Sequence, residues 1–270
     1  MKTAFKRTLL ASLVVPFALG AQSASAVMIT DWGYEVNSSF SDWTDTGGDG
    51  AVTASDSDRK LSWGISDPQS SVSITDVNEP SGLITNGGYV MGGTFTHTNN
   101  TLPASGTALA SFDLTSTLTL TPFDPAGGSL PPTSRTFESF FNETLNNGNC
   151  VSASVSNCDD IFTIDNIGDL GLVETDDGFE FASPSFTIDD YTYTVYLELA
   201  GLAYLGAETC AEAGASAGCI GLLTEEGQVN NFDTRFRITA TEVPEPGTLA
   251  LLGLGLAGLG LSRRKKAAKA

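Results

Sequence analysis

The single histidine of the chain, His97, lies in the polar run Thr96-His97-Thr98-Asn99. One imidazole excludes mechanisms and metal sites that need two histidines in one chain. A nucleophilic triad would need a serine or cysteine held against His97 and an acid that orients the ring. We expect instead a structural role, in which the imidazole hydrogen-bonds a backbone carbonyl and fixes a turn where a strand ends.

Acidic residues are the second group that could do chemistry. Asp45, Asp49 and Asp56 take positions 1, 5 and 12 of a partial EF-hand loop, with Gly50 at position 6. Position 3 is Gly47, and the bidentate glutamate expected at position 12 is absent. The loop predicts weak calcium binding at these three aspartates, with a solvated acidic loop as the alternative. No other cofactor is expected.

The charge balance limits the classes of partner. Lys and Arg number 13 against 32 Asp and Glu, for a net charge of −19. Nucleic acid is excluded as a partner, because binding phosphate requires Lys and Arg to displace counterions. Adjacent acids such as Asp159-Asp160 would suit a glycosidase only across a cleft, which adjacency does not establish. We expect no enzymatic activity.

Four cysteines occur as two local pairs. Cys150 lies near Cys158, and Cys210 lies near Cys219. In an oxidising compartment this spacing predicts two disulfides, and proximity favours those two pairings among the three possible. A four-thiolate zinc site is the alternative, but neither pair has the short spacing of a zinc knuckle.

The N-terminus predicts a secretory signal over residues 1–26. Lys6-Arg7 precede an apolar segment, and the small-residue signature Ala24-Ser25-Ala26 follows it. We expect export through the Sec translocon and cleavage by signal peptidase after Ala26.

The C-terminus, residues 243–266, has three parts in a fixed order. Pro244-Glu245-Pro246 disfavours helix. An apolar run follows, with leucines predicted to hold a short membrane-anchor helix: Leu249, Leu252, Leu254, Leu256, Leu259 and Leu261. The basic cluster Arg263, Arg264, Lys265 and Lys266 would then orient it on the cytoplasmic side. The run is short for a bilayer core, which predicts only transient anchoring in the inner membrane.

These three parts resemble the PEP-CTERM sorting signal of Gram-negative bacteria. The resemblance implies recognition of Pro244, Glu245 and Pro246 by an exosortase, a transpeptidase-like membrane enzyme. It further implies processing near those residues and a destination at the cell surface or in the extracellular matrix of a biofilm.

The segment between the secretory signal and the C-terminal sorting signal, residues 27–240, is predicted to be one all-β ectodomain. Apolar residues alternate with polar ones in Phe112–Leu120, Tyr191–Leu199 and Phe232–Ile238. A one-residue slip of the pattern at Asp189-Asp190 predicts a bulge or turn. Short strands separated by turn residues predict an antiparallel β-sandwich or jelly roll, with helices only in the signal and the anchor.

Within this body, Thr96, His97 and Asn99, together with Trp63-Gly64 upstream, resemble the Thr-His-x-Asn element of the THxN family of PEP-CTERM proteins. The choice-of-anchor K domains share a similar pattern. The resemblance brings no assigned enzymatic activity with it and so implies a family but no mechanism. The tryptophans and the acidic loop point to an alternative function, a calcium-assisted adhesin or a binder of exopolysaccharide, in which Trp32, Trp43 and Trp63 would stack on sugar rings.

Overall fold

The alternation of apolar and polar residues produces a molecule whose regular structure is mostly strand, because successive side chains of a strand point to opposite faces. The computed structural model describes residues 27–144, 150–156, 158–175, 178–243 and 255–256. In chain order its elements are β1 (Asp31–Asp45), β2 (Thr53–Ser55), β3 (Lys60–Trp63), β4 (Ser70–Ile74), β5 (Val77–Ile84), β6 (Val90–Thr98), β7 (Leu109–Asp124), β8 (Thr133–Asn142), β9 (Asp160–Ile164), the 3-10 turn Ile167–Asp169, β10 (Leu172–Thr175), β11 (Gly178–Ala182), β12 (Phe186–Ile188), β13 (Tyr191–Leu199), β14 (Ala203–Tyr204), α1 (Ala207–Glu212), β15 (Ile220–Thr224) and β16 (Val229–Glu242).

The strands form two curled antiparallel sheets. The seven-stranded sheet has the order β14-β15-β9-β8-β7-β1-β5, and the nine-stranded sheet has the order β10-β11-β13-β16-β6-β4-β3-β2, with β12 paired to β13. Every pairing between these strands is antiparallel. The all-β, antiparallel prediction is therefore confirmed. The slip at Asp189-Asp190 is the turn between β12 and β13, with Asp189 at a φ of 50°.

Side chains from both sheets meet in the main core cluster. Phe112 of β7 and Phe162 of β9 belong to the seven-stranded sheet, and their ring centroids are 5.7 Å apart. Phe95 of β6 reaches across from the other sheet to within 5.2 Å of Phe162 and 6.4 Å of Phe112. Each buried ring contributes roughly 1.5–3 kcal/mol by leaving water, so this contact holds the two sheets together.

A second cluster joins the two ends of the body. The amide of Ile29 donates a hydrogen bond of 2.9 Å to the hydroxyl of Tyr193, whose ring lies 5.2 Å from that of the fully buried Trp32. Tyr193 on β13 is also the cross-strand partner of Ala240, near the end of β16. Residues near the start and near the end of the body therefore adjoin the same tyrosine, Tyr193.

A cavity of about 500 Å³ lies between the sheets and is lined by side chains of both clusters. Its walls are mainly apolar. Among the described lining residues Arg135 is the one charged group, and its guanidinium donates to the carbonyl oxygens of Asp169 and Ala182 at 3.2 and 2.8 Å. The charge of Arg135 is therefore directed into backbone acceptors.

The helices predicted at the two ends lie almost wholly outside the described residues. Residues 1–26, which hold Ala24 and Ala26, are not described, and of the predicted anchor only Gly255 and Leu256 are. Within the described ranges, no helix has the length and apolar character that crossing a membrane requires.

Candidate functional site: a buried histidine among three carboxyl groups

The period of two along β6 determines which side chains of the Thr-His-Thr-Asn run face the interior. Phe95, His97 and Asn99 are buried, whereas Thr96 and Thr98 are only partly covered. The His97 ring is fully buried: it stacks on the indole of Trp63 at 5.7 Å between centroids and meets the edge of Phe141 at 5.1 Å. The histidine is thus part of the core between the sheets.

The hydrogen bonds of His97 correct one sequence prediction. Its Nδ1 lies 2.9 Å from the hydroxyl of Thr224, not against a backbone carbonyl. The Thr224 hydroxyl in turn donates to the carbonyl oxygen of Asp160 at 3.3 Å. Because that hydroxyl hydrogen is committed, Nδ1–H of the imidazole donates to Thr224, and Nε2 is left with a lone pair. Nε2 then faces Oδ2 of Asp160 at 3.9 Å.

Three adjacent strands of the seven-stranded sheet bring acidic side chains to the same place. Glu143 follows the end of β8, Asp160 begins β9, and Glu226 follows the end of β15. Since β9 pairs antiparallel with both β8 and β15, its first residue lies beside the last residues of its two neighbours. One carboxylate oxygen from each acid lies within 4.8 Å of the others.

Each carboxyl group is oriented by a donor. The indole Nε1 of Trp63 donates to Oε2 of Glu143 at 2.8 Å. The amide of Thr144 donates to Oδ1 of Asp160 at 2.8 Å. The hydroxyl of Thr101 donates to Oε1 of Glu226 at 2.9 Å. These bonds restrict the directions in which the oxygens can point.

Burial shifts the pKa values of Glu143, Asp160 and His97. Burial raises the pKa of Glu143 to about 8, and the charge of Glu226 adds to the rise. Burial, and then the charge of Glu143, also raises the pKa of Asp160 well above its ordinary range. Burial lowers the pKa of the His97 imidazole to about 3. At neutral pH the ring is therefore uncharged, and the facing His97 and Asp160 side chains are not an ion pair.

Three buried polar atoms around this cluster have no hydrogen-bond partner among the described residues: Nε2 of His97, Oδ2 of Asp160 and Oδ1 of Asn99. Buried polar groups in native proteins are nearly always satisfied by protein, water or an ion. The combination of carboxylate oxygens, a lone-pair nitrogen and an amide oxygen is a set of cation ligands.

The structure does not bring the three aspartates of the predicted calcium loop together around one point. Asp45 accepts a hydrogen bond from the amide of Gly47, and Asp56 pairs with Arg59 at 2.7 Å. Among the described residues, Asp45, Asp49 and Asp56 do not form a three-carboxylate group of the kind that Glu143, Asp160 and Glu226 form. The acids that do assemble were not predicted as ligands, because their proximity depends on strand order.

The three tryptophans suggested for sugar stacking are directed inward. Trp32 and Trp63 are fully buried, and Trp43 is partly buried against the main cluster. Trp32 donates its Nε1–H to the hydroxyl of Thr85 at 2.9 Å. As placed here, Trp32 and Trp63 present no face to a sugar.

Both predicted disulfides form, Cys150–Cys158 and Cys210–Cys219, so the pairing that proximity favoured is confirmed. The first closes a loop beside the acidic cluster. In this loop, the Ser156 hydroxyl accepts the amide hydrogen of Glu226 at 3.0 Å and itself donates to the buried carboxylate of Asp159.

A Gly-x-Ser-x-Gly pattern at Gly214–Gly218 lies between α1 and β15, inside the second disulfide loop. A nucleophile elbow places its serine between a strand and a following helix. Here the helix comes first and the strand follows, so the pattern is not such an elbow.

Comparison with known protein families matches residues 242–265 to the PEP-CTERM protein-sorting motif. The matched segment includes Pro244, Glu245 and Pro246, which lie outside the described residues. The match supports a PEP-CTERM protein that is exported and sorted to the surface of a Gram-negative cell, with an exosortase as its processing partner. No curated protein matches the sequence of the chain.

Proposed function

We propose that the chain is a non-enzymatic protein of the cell surface or of the exopolysaccharide matrix. It passes the Sec translocon, loses its signal after Ala26, and is held in the inner membrane by its apolar C-terminal run until an exosortase acts near Pro244–Pro246. The observation that carries the proposal is the sorting motif matched at residues 242–265. We further propose that Thr96, His97 and Asn99 mark the body as a member of the THxN family.

The boundaries of the folded body support this order of events. Ile29 is already buried, and its amide is bonded to Tyr193. At the other end β16 stops at Glu242, and the amide of Val243 donates to the carbonyl of Asp190 at 2.7 Å. Cleavage after Ala26 and processing near Pro244 would therefore leave every strand of both sheets intact.

The burial of the histidine supports the non-enzymatic part. His97 and Asp160 are fully buried, and Thr224 is 1% exposed. A general base must come within hydrogen-bond distance of a substrate proton. No substrate reaches this imidazole without opening the core, which favours a structural role.

The test is fractionation of host cells that express the wild-type chain or a variant with Pro244, Glu245 and Pro246 replaced by alanine. We expect wild-type protein at the surface or in the medium, with a mature C-terminus near residues 244–246 by mass spectrometry. The alanine variant should stay in the inner-membrane fraction with its C-terminus uncut. Lys269→Ala, outside the matched residues, should behave as wild type.

Wild-type protein recovered from the cytosol with both ends intact would refute the proposal. So would a C-terminus that is processed equally in the alanine variant.

A further inference from the structure

We propose that Glu143, Asp160 and Glu226 bind a divalent cation, with Nε2 of His97 as a nitrogen ligand. This site is independent of the sorting motif and of the loop at Asp45–Asp56. Its occupant would be an ion of the Mn²⁺ or Zn²⁺ class, and its role would be to join the two sheets.

The spacing of the carboxylates fits a shared ion. Metal–oxygen distances in proteins are about 2.0–2.6 Å, so two ligands of one ion lie at most roughly 4–5 Å apart. One oxygen from each of Glu143, Asp160 and Glu226 meets this condition with respect to both of the others. The three side chains could therefore contact one cation with small rotations about their terminal bonds.

The imidazole is the second, independent observation. Its Nε2 is buried, has no hydrogen-bond partner among the described residues and lies 3.9 Å from the equally unpartnered Oδ2 of Asp160. Two lone-pair atoms face each other there, and a cation between them would satisfy both. The hydrogen bond from Nδ1 to Thr224 fixes the tautomer and ring orientation, as outer-shell partners do for histidine ligands in metal sites.

The negative charge of the carboxyl cluster also favours a bound cation. Asp160 is fully buried and Glu143 is largely shielded from water, so these two close carboxyl groups must either keep protons or gain a positive counter-charge. No Lys or Arg contacts the carboxyl groups of Glu143 or Asp160 in the hydrogen bonds and ion pairs of the described residues. A divalent ion would supply the missing charge, and the donors Trp63, Thr144 and Thr101 would hold the oxygens around it.

The ligand types select the class of ion. Ca²⁺ and Mg²⁺ take oxygen ligands, whereas Mn²⁺ and Zn²⁺ also accept imidazole nitrogen. His97 belongs to β6 of the nine-stranded sheet, and the three acids border strands of the seven-stranded sheet. His97 lies close to Asp160 but outside the group of three mutually close oxygens, so an ion held by all four requires a shift of the imidazole or of the acids toward each other. Such an ion would tie the sheets together at this end of the core.

The experiment uses the exported protein, stripped of metal with a chelator and dialysed at pH 7.5. MnCl₂, ZnCl₂ and CaCl₂ are added separately, and binding is followed by calorimetry and thermal melting. We expect saturable binding of one Mn²⁺ or Zn²⁺ per chain and a rise in Tm of several degrees. Glu226→Gln should weaken that binding at least ten-fold, while Glu225→Gln, its exposed neighbour, should leave it unchanged.

A direct readout of the imidazole avoids a variant that fails to fold. Pulsed electron paramagnetic resonance of the Mn²⁺-loaded wild type should show coupling to a histidine nitrogen. Stabilisation by Ca²⁺ alone, or a Mn²⁺ spectrum without nitrogen coupling, would overturn the assignment of His97. Absence of binding by all three ions, or equal binding in Glu226→Gln and Glu225→Gln, would overturn the site itself.

Discussion

Nε2 of His97 and Oδ2 of Asp160 face each other at 3.9 Å across the space between two sheets. Both atoms are buried, and neither has a hydrogen-bond donor among the described residues. The separation exceeds a hydrogen bond, and the lowered pKa of the ring excludes an ion pair at neutral pH. The stability of the core at this point therefore depends on protons or a cation on the carboxyl side.

The first prediction concerns pH. In metal-free protein the free energy of unfolding should fall as the pH rises from about 6.5 to 8. Glu143 has a folded-state pKa of about 8, raised mainly by burial. Above the unfolded pKa of roughly 4.3 the folded state binds more protons than the unfolded state, so stability is lost as the pH rises through that interval.

His97 acts in the opposite sense and at lower pH. Its pKa falls to about 3 on folding, so its contribution is lost only as the pH drops below roughly 6.5. Urea denaturation in chelator should therefore show a decrease of roughly 1–3 kcal/mol between pH 6.5 and 8. Glu143→Gln removes the titrating carboxyl group but leaves the other acidic residues of the protein in place. The decrease in unfolding free energy between pH 6.5 and 8 should therefore be smaller in this variant. Identical pH profiles in the two proteins would contradict the prediction.

The second prediction concerns the indole of Trp63. Trp63→Phe removes the donor to Glu143 and leaves a buried carboxyl oxygen without that bond. We expect a loss of about 1–3 kcal/mol in unfolding free energy and weaker Mn²⁺ or Zn²⁺ binding. Trp32→Phe is the matched control, because it removes the bond to Thr85 in the other cluster. It should destabilise the protein without changing cation affinity, and parallel effects of both variants would count against the orienting role of Trp63.

The third prediction separates the two disulfides. Replacing Cys150 and Cys158 by serine should cost about 2–3 kcal/mol by the loop-entropy argument. It should also weaken cation binding, because the loop carries Ser156, which holds the amide of Glu226. Replacing Cys210 and Cys219 should give a similar cost but a smaller effect on binding. Calorimetric titration of both variants distinguishes these results, and an equal loss of affinity would contradict the prediction.

The fourth prediction concerns an ion pair outside the site. The guanidinium of Arg237 donates to both carboxylate oxygens of Glu180, at 2.6 and 2.7 Å, and the Glu180 side chain is 1% exposed. Arg237→Gln should cost about 3–5 kcal/mol, since it removes the bidentate guanidinium from a buried carboxylate and leaves the Tyr89 hydroxyl as its hydrogen-bond donor. The double variant with Glu180→Gln should recover part of that loss in urea denaturation. A double variant as unstable as the sum of the single ones would refute this coupling.

Local patterning was sufficient to predict several strands. Tyr191–Leu199 is β13 with the predicted bounds, and the segments at Phe112 and Phe232 lie inside the longer β7 and β16. β1 was missed, although Trp32, Tyr34, Val36 and Phe40 alternate inward. The polar Ser38 interrupts that pattern, and it is buried because its hydroxyl bonds to that of Ser116 at 2.8 Å.

The acidic cluster could not be predicted from local patterns. Glu143, Asp160 and Glu226 are distant in sequence and meet only because β15, β9 and β8 are neighbours in that order. Strand order is set by long-range pairing, which period and composition do not encode. The burial of His97 could have been predicted from the period of two, because Phe95, His97 and Asn99 lie on the same buried face of β6.

The register of β16 determines how the body would be displayed. Asn230 stands opposite His97, and ten residues further along, Ala240 stands opposite Tyr193, which also binds Ile29. At about 3.3 Å per residue these points are roughly 33 Å apart. In a molecule tethered through residues 242–265, Ile29 and Ala240 would therefore both lie at the membrane-proximal pole of the body. The histidine–carboxylate centre would lie at the opposite pole, inside the core, so a cation bound there would brace the end of the body farthest from the tether.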